Sequence, residues 1–177
     1  MSQIEISNFE RFDVRKKLIE FITDAPGIRY RELLRLTGLS NGVLSYHLDV
    51  LTKNGRIKNK KTNQRVTRYY PNGFSEEESE IIAVLRQETS RKIIQFIIEN
   101  PHCTFNEIVD YCGKVPSTIS WHLSKLKESE IVENLKSNNT GTYTVKKCDK
   151  VNEIIEKHKN SFVQRIVNDY VDMVESI

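Results

Sequence analysis

Seven cations crowd between Lys53 and Arg68, and no acid falls anywhere from Val50 to Ser75. They are Lys53, Arg56, Lys58, Lys60, Lys61, Arg65 and Arg68. Gathered on one face they would create a strong positive potential, for which phosphate is the commonest biological counter-charge. Just upstream, Leu44, Leu48 and Leu51 recur at helical spacing. If those leucines anchor a helix, Asn41, Gly42, Ser45, Tyr46 and Asp49 turn outward. Small polar residues near a helix N-terminus let the backbone approach a major groove and offer donors and acceptors to base edges. The combination predicts a site for double-stranded DNA. Asn41, Gly42, Ser45 and Tyr46 would read the groove, and Lys58, Lys60, Lys61, Arg65 and Arg68 would lie on flanking phosphates. Asp49, a poor neighbour for phosphate, is expected beyond the contact zone. Charge alone fits a solvated loop equally well.

The elements that must position these residues occur twice. Ser45-Tyr46-His47-Leu48 returns 75 residues later as Ser120-Trp121-His122-Leu123. At the same offset Leu18, Ile19, Phe21 and Ile22 meet Ile93, Ile94, Phe96 and Ile97, Pro26 meets Pro101, and Gly38 meets Gly113. Apolar and turn positions match while exposed positions diverge, as expected of one fold used twice with two cores. Each copy reads as helix, turn, helix, turn, helix and hairpin. In the first copy the helices are Phe12 to Thr23, Tyr30 to Thr37 with Gly38 as a left-handed cap, and a third capped by Ser40. A hairpin from Arg56 to Tyr70 follows, with its tip at Thr62-Asn63-Gln64. The second copy predicts helices over Thr89 to Glu99, Phe105 to Tyr111 and Pro116 to Glu128, then a wing from Ile131 to Val145. Ser117, Thr118, Ser120 and Trp121 take the groove-reading places there. That wing has only Lys136 as a base, against six in the matching stretch of the first copy. Weaker DNA binding, or another purpose, follows.

The predicted fold is therefore mainly α with small β-hairpin wings: two tandem winged helix-turn-helix domains plus a long C-terminal helix. Residues 1–73 form the first domain, 74–88 a helical connector opened by a Ser75–Glu78 capping box, 89–148 the second domain, and 149–177 the C-terminal helix. In that helix Val151, Ile155, Phe162, Ile166, Tyr170 and Val174, with Ile154, Val163, Val167 and Val171 beside them, make a stripe too wide for a lone exposed helix. It must pack on its own domain or on a partner chain, and a homodimer held by this helix is expected.

The remaining composition narrows the function classes. The chain has 177 residues, 38% hydrophobic and 29% charged, in the range of globular proteins. Residues 1–73 hold 14 Lys and Arg against 7 Asp and Glu, and residues 74–177 hold 13 against 17. No apolar run suits a membrane and no secretory signal is visible, so a cytoplasmic protein is expected. Cys103, Cys112 and Cys148 form no CxxC pair, and with His102, His122 and His158 they match no metal spacing. No metal and no cofactor is expected. A redox role for Cys103 near a helix start is a minor alternative. Neither a phosphate loop, a nucleophile elbow nor carboxylates paired beside a histidine is present, so an enzyme is not expected. His47 and His122, each before a core leucine, read as packed histidines bonding to the helix-turn backbone. Trp121 reads as equally suited to burial against another domain or a partner.

These residues resemble the archaeal-type tandem winged helix-turn-helix transcriptional regulators of the broad ArsR/MarR-like superfamily. The similar segments are residues 25–33, 38–48, 68–71 and 116–126, and the two resembling stretches, Val14 to Pro71 and Arg86 to Tyr143, cover about two-thirds of the chain. The resemblance implies sequence-specific DNA binding by a dimer, each third helix in a major groove. The acidic second half departs from that pattern and suits an alternative, a winged-helix scaffold that touches proteins of the transcription machinery.

Overall fold

The computed structural model describes the backbone of residues 3–63, 66–137 and 140–175, and side chains over 13–61, 66–135 and 141–162. The chain divides into two compact units, Met1–Ser79 and Glu80–Ile177.

The first unit starts with α1 (Gln3–Asp24), nine residues longer at its N-terminus than the apolar stripe from Phe12 suggests. Proline cannot continue a helix, and Ala25-Pro26-Gly27 turns the chain into a two-residue strand, β1 (Ile28–Arg29). Then come α2 (Tyr30–Thr37) and α3 (Asn41–Lys53). Glu32 accepts the Arg29 N–H at 2.8 Å to cap α2, and Gly38, at φ 64°, returns its N–H to the Leu34 carbonyl. Ser40 is the residue before α3 and its backbone is extended there, but its hydroxyl makes no capping bond, contrary to expectation. Strands β2 (Ile57–Asn63) and β3 (Val66–Pro71) close the unit in the antiparallel order β1-β3-β2. The polar residues expected at the hairpin tip thus belong to β2 as far as Asn63. Leu18 and Ile22 from α1, Leu33 from α2, Leu44, Leu48 and Leu51 from α3, and Ile28, Ile57 and Tyr69 from the sheet form one buried cluster. Each fully buried aliphatic side chain contributes roughly 1.5–3 kcal/mol.

Helix α4 (Glu76–Leu85) carries the boundary between the units. Its start is the expected capping box: Glu78 N–H donates to Ser75 Oγ at 3.1 Å and Ser75 N–H to Glu78 Oε2 at 2.8 Å.

The second unit repeats the plan with α5 (Glu88–Glu99), β4 (Cys103–Thr104), α6 (Phe105–Cys112), α7 (Pro116–Glu128), β5 (Val132–Ser137) and β6 (Thr140–Val145), sheet order β4-β6-β5. Pro116 opens α7, where its missing N–H costs nothing. Then α8 runs from Cys148 to Glu175. Val151, Ile154, Ile155 and Phe162 of α8 are buried. Arg86 donates to the Ser161 carbonyl at 3.0 Å, and the Arg86 and Arg91 guanidiniums lie 5.2 and 5.1 Å from the Phe162 ring. The first half of α8 is therefore part of this unit's own core. Ile166, Tyr170 and the other stripe residues beyond Phe162 lie outside the described side chains. No described helix is long and apolar enough to cross a membrane.

Candidate nucleic-acid interface

Burying Leu44, Leu48 and Leu51 fixes which face of α3 looks out. Asn41, Gly42, Ser45, Tyr46 and Asp49 are all exposed, Tyr46 at 52%. The Tyr30 hydroxyl donates to the Asn41 carbonyl at 2.8 Å, tying the start of α3 to α2. Tyr30 and Asp49 also border Tyr69, whose phenol is pushed up to about 12, chiefly by burial and then by those two neighbours.

Strand alternation divides the basic run between two sides of the sheet. Ile57, a core residue, shares its face with Asn59 and Lys61, so Lys61 stands exposed on the side of the helices. Lys58 and Lys60 point to the other side. There Lys58 donates to the Phe74 carbonyl at 3.1 Å and Lys60 pairs with Glu76. Arg68 also lies on that side, paired across the ladder with Arg29 and Lys60. It is 2% exposed and donates to the Gly27 carbonyl at 2.7 Å. The expectation that Arg68 reaches phosphate is thus corrected: its guanidinium is a structural donor, enclosed because β3 is the central strand. Arg65 lies outside the described residues.

In the second unit Ser117, Ser120 and Trp121 are exposed and Thr118 is half-buried on α7. Trp121, at 52% exposure, is uncovered by its own unit, as is Val115 at 63%. His47 and His122 are buried as expected, but they bond to side chains of the first helix of each copy. Arg15 Nε donates to His47 Nδ1 at 3.3 Å, and Ser90 Oγ lies 2.9 Å from His122 Nδ1. Arg15 and Ser90 stand 75 residues apart, as the histidines do. Nothing local in the sequence marks Arg15; only the internal alignment with Ser90 points to it. Burial alone holds the His122 pKa below its usual value. Burial likewise raises the thiols of Cys103 and Cys112, with Glu107 adding to the effect at Cys103. That opposes a reactive thiolate at Cys103. Among the described residues no group of three or more His, Cys, Asp or Glu is placed to hold a metal ion.

Comparison with known proteins follows the same two-part division. A family model described as an N-terminal helix-turn-helix (HTH) domain matches residues 12–82, and one described as winged helix-turn-helix DNA-binding matches residues 86–133. An uncharacterized HTH-type transcriptional regulator of Methanocaldococcus jannaschii, MJ1398, is 26% identical over 148 residues, covering 82% of this chain. The match spans 37% of that relative's length. Among solved structures, the Mycobacterium tuberculosis protein Rv0081 aligns at a TM-score of 0.43 with 19% identity, over 53% of this chain and 92% of the other. The homodimeric winged helix-turn-helix DNA-binding domain Mb0332 of Mycobacterium bovis aligns at 0.40 with 16% identity, over 57% and 94%. Both halves of the chain thus match helix-turn-helix domain models, in keeping with a fold repeated at a 75-residue offset, and 82% of the chain is similar to part of an archaeal HTH-type transcriptional regulator.

Proposed function

We propose that the chain is a DNA-binding transcriptional regulator whose first domain carries most of the affinity. The observation behind this reading is the outward face of α3. Asn41, Gly42, Ser45 and Tyr46 are exposed together while leucines hold the helix down, and Lys61 is exposed on the side of the sheet that faces the helices. Such a helix suits a major groove, and Lys61 with Lys58 and Lys60 suits the bordering phosphates. Lys58 and Lys60 exchange a carbonyl and a carboxylate for phosphate when they do so. In the second domain Ser117, Thr118, Ser120 and Trp121 take the corresponding place without a basic wing. The exposed Val115 and Trp121 favour a second reading for that domain alone, as a surface that touches another protein of the transcription machinery.

Assembly as a homodimer through α8 completes the reading. A two-fold pair would present two α3 helices to major grooves about 34 Å apart on one side of a duplex. Because the apolar residues Val151, Ile154, Ile155 and Phe162 are committed to the second unit's core, the pairing falls to residues beyond Phe162. Light scattering of the full chain with Ile166→Asp and Tyr170→Asp should show a monomer; a dimer that survives both excludes this interface.

The experiment that tests the function is selection of bound fragments from random DNA, followed by anisotropy titration at several salt concentrations. Wild type should enrich a two-fold site. Neutralising Lys60, Lys61 and Arg65 should weaken binding to every sequence alike and flatten the salt slope by about 0.9 for each phosphate left without its cation. Unchanged affinity would take the wing off the DNA. Affinity that ignores salt altogether would favour the protein-docking reading.

A further inference from the structure

We infer that Arg15, on α1, is a positioning residue for the reading helix, fixing Tyr46 in the orientation that confers sequence preference on the first domain. The inference rests on the reading that α3 enters the groove. Its ground is a triangle of contacts. Arg15 Nε donates to the buried His47 ring at 3.3 Å, the Arg15 guanidinium lies 5.9 Å from the centre of the Tyr46 ring, and Tyr46 stands edge-on to His47 at 5.3 Å. Arg15 is half-buried and Tyr46 is exposed. An exposed tyrosine has several staggered rotamers, and fixing one of them on binding costs affinity for the site it must fit. A cation over the ring face selects a rotamer beforehand. The planar guanidinium offers an N–H to His47 from one edge while its charge attends Tyr46; a lysine ammonium keeps the charge and the donors but, as a compact point charge on a flexible stem, does not fix that geometry.

The second domain is the internal control. There Ser90 occupies the equivalent place, and its hydroxyl meets His122 at 2.9 Å. A short hydroxyl is thus sufficient for the buried histidine. Trp121 still stands edge-on to His122, with ring centres 4.9 Å apart, but serine has no cation to place over it. What the first domain adds by using arginine is the contact to Tyr46. In this arrangement the charge of the guanidinium attends the ring and its Nε the histidine. Its removal should therefore change preference and leave general affinity intact, the reverse of a wing lysine.

The second domain also supplies the variant. Arg15→Ser should keep the histidine bonded and the fold intact while freeing Tyr46. Measured by anisotropy in full-length protein, its affinity for the selected site should fall about five- to tenfold. Affinity for random duplex of the same length should stay within about twofold and the salt slope should not change, because every phosphate keeps its cation. Arg15→Lys, which keeps the charge, should lose preference as well. In a Tyr46→Ala background Arg15→Ser should have no further effect, as expected of two residues that act together. An equal loss on all DNA with a salt slope lower by about one would make Arg15 a phosphate ligand and overturn the inference. Full preference retained by both Arg15 variants would overturn it too, leaving the α3 reading intact. Wild-type protein that selects no sequence would overturn the α3 reading and this inference with it.

Discussion

One row of residues across each sheet separates the two domains. In the first domain Arg29, Arg68 and Lys60 stand side by side across β1, β3 and β2; in the second the matching row is Thr104, Thr142 and Leu135. Three adjacent cations repel one another, and opposed like charges destabilise a ladder. The first domain offsets this with local acceptors: the Gly27 carbonyl takes Arg68, and Glu76 takes Lys60. Beside them, Tyr70 donates to the Ser79 carbonyl at 3.1 Å, so the start of α4 is fastened to the same side of the sheet. The second domain has no such demand, and Thr142 simply returns its hydroxyl to the Leu135 carbonyl at 3.3 Å. A basic run in a sequence is thus two populations. Some of its charges have acceptors within the wing and the helix that follows, and others, Lys61 among them, stand exposed.

The largest test of that division is Arg68→Thr, which writes the second domain's residue into the first. It removes a charge-assisted bond and leaves the enclosed Gly27 carbonyl without it, which should cost roughly 2–4 kcal/mol in urea or thermal unfolding. Lys61→Thr, by contrast, should alter stability by less than about 0.5 kcal/mol while weakening DNA binding. A stable Arg68→Thr protein with reduced DNA affinity would collapse the distinction and return Arg68 to the DNA face.

How far the sequence reveals all this depends on the kind of signal. Helices α2 and α7 run from Tyr30 to Thr37 and from Pro116 to Glu128, as leucine spacing, Gly38 and Pro116 indicate. Those signals are local, and each residue makes its own physical demand. The two-residue strands β1 and β4 escape such reading, since Ile28-Arg29 and Cys103-Thr104 are too short for any period to show. In the sequence Arg68 resembles its exposed neighbours because charge gives no direction. Its side of the strand is shared with Tyr70, a buried residue two positions on, and that alternation is the available clue. The histidines are legible as packed, but their partners Arg15 and Ser90 lie 32 residues away in sequence, where no local rule reaches. The exposed face of α3 is legible from its leucines alone.

The buried histidine of the second domain gives a smaller test. Burial lowers the His122 pKa below its ordinary 6.5, so the folded state disfavours the protonated ring. Since the unfolded chain binds that proton more readily, the second domain's stability is full above about pH 6.5 and declines as pH falls below it. Trp121 is the only tryptophan in the chain and touches His122, so its fluorescence reports this domain alone. Denaturant midpoints followed by that signal should fall between about pH 7 and pH 5, and His122→Gln should flatten this part of the decline. A midpoint that holds level across the range would mean that the buried ring accepts a proton freely.

The finest contrast is in the backbone. After α3 the chain turns through Gly55 at φ 63°, and after α7 through Glu130 at φ 54°. These are equivalent places, and their hydrogen bonding agrees: Gly55 N–H donates to Thr52 O and Glu130 N–H to Lys127 O, each at 3.0 Å. Only the residue differs. A left-handed conformation costs an L-residue roughly 1–2 kcal/mol through the approach of Cβ to the next carbonyl, and glycine escapes that cost. Glycine also loosens the unfolded chain, returning about 0.4–1 kcal/mol of the advantage. The balance for Glu130→Gly should be a gain of about 0.5–1 kcal/mol in the second domain, and Gly55→Glu should remove a similar amount from the first. Neither change has a packing component to confuse it, because a Cβ at Gly55 would meet nothing within 4 Å and Glu130 is exposed. Nor does either substitution touch a residue of the reading face. Chemical denaturation with tryptophan emission for the second domain and far-ultraviolet dichroism for the whole chain would separate the two effects. If Glu130→Gly left the second domain unchanged or weakened it, the strain assigned to this turn would be absent, and the two domains would differ in surface charge without differing in the ease of their folds.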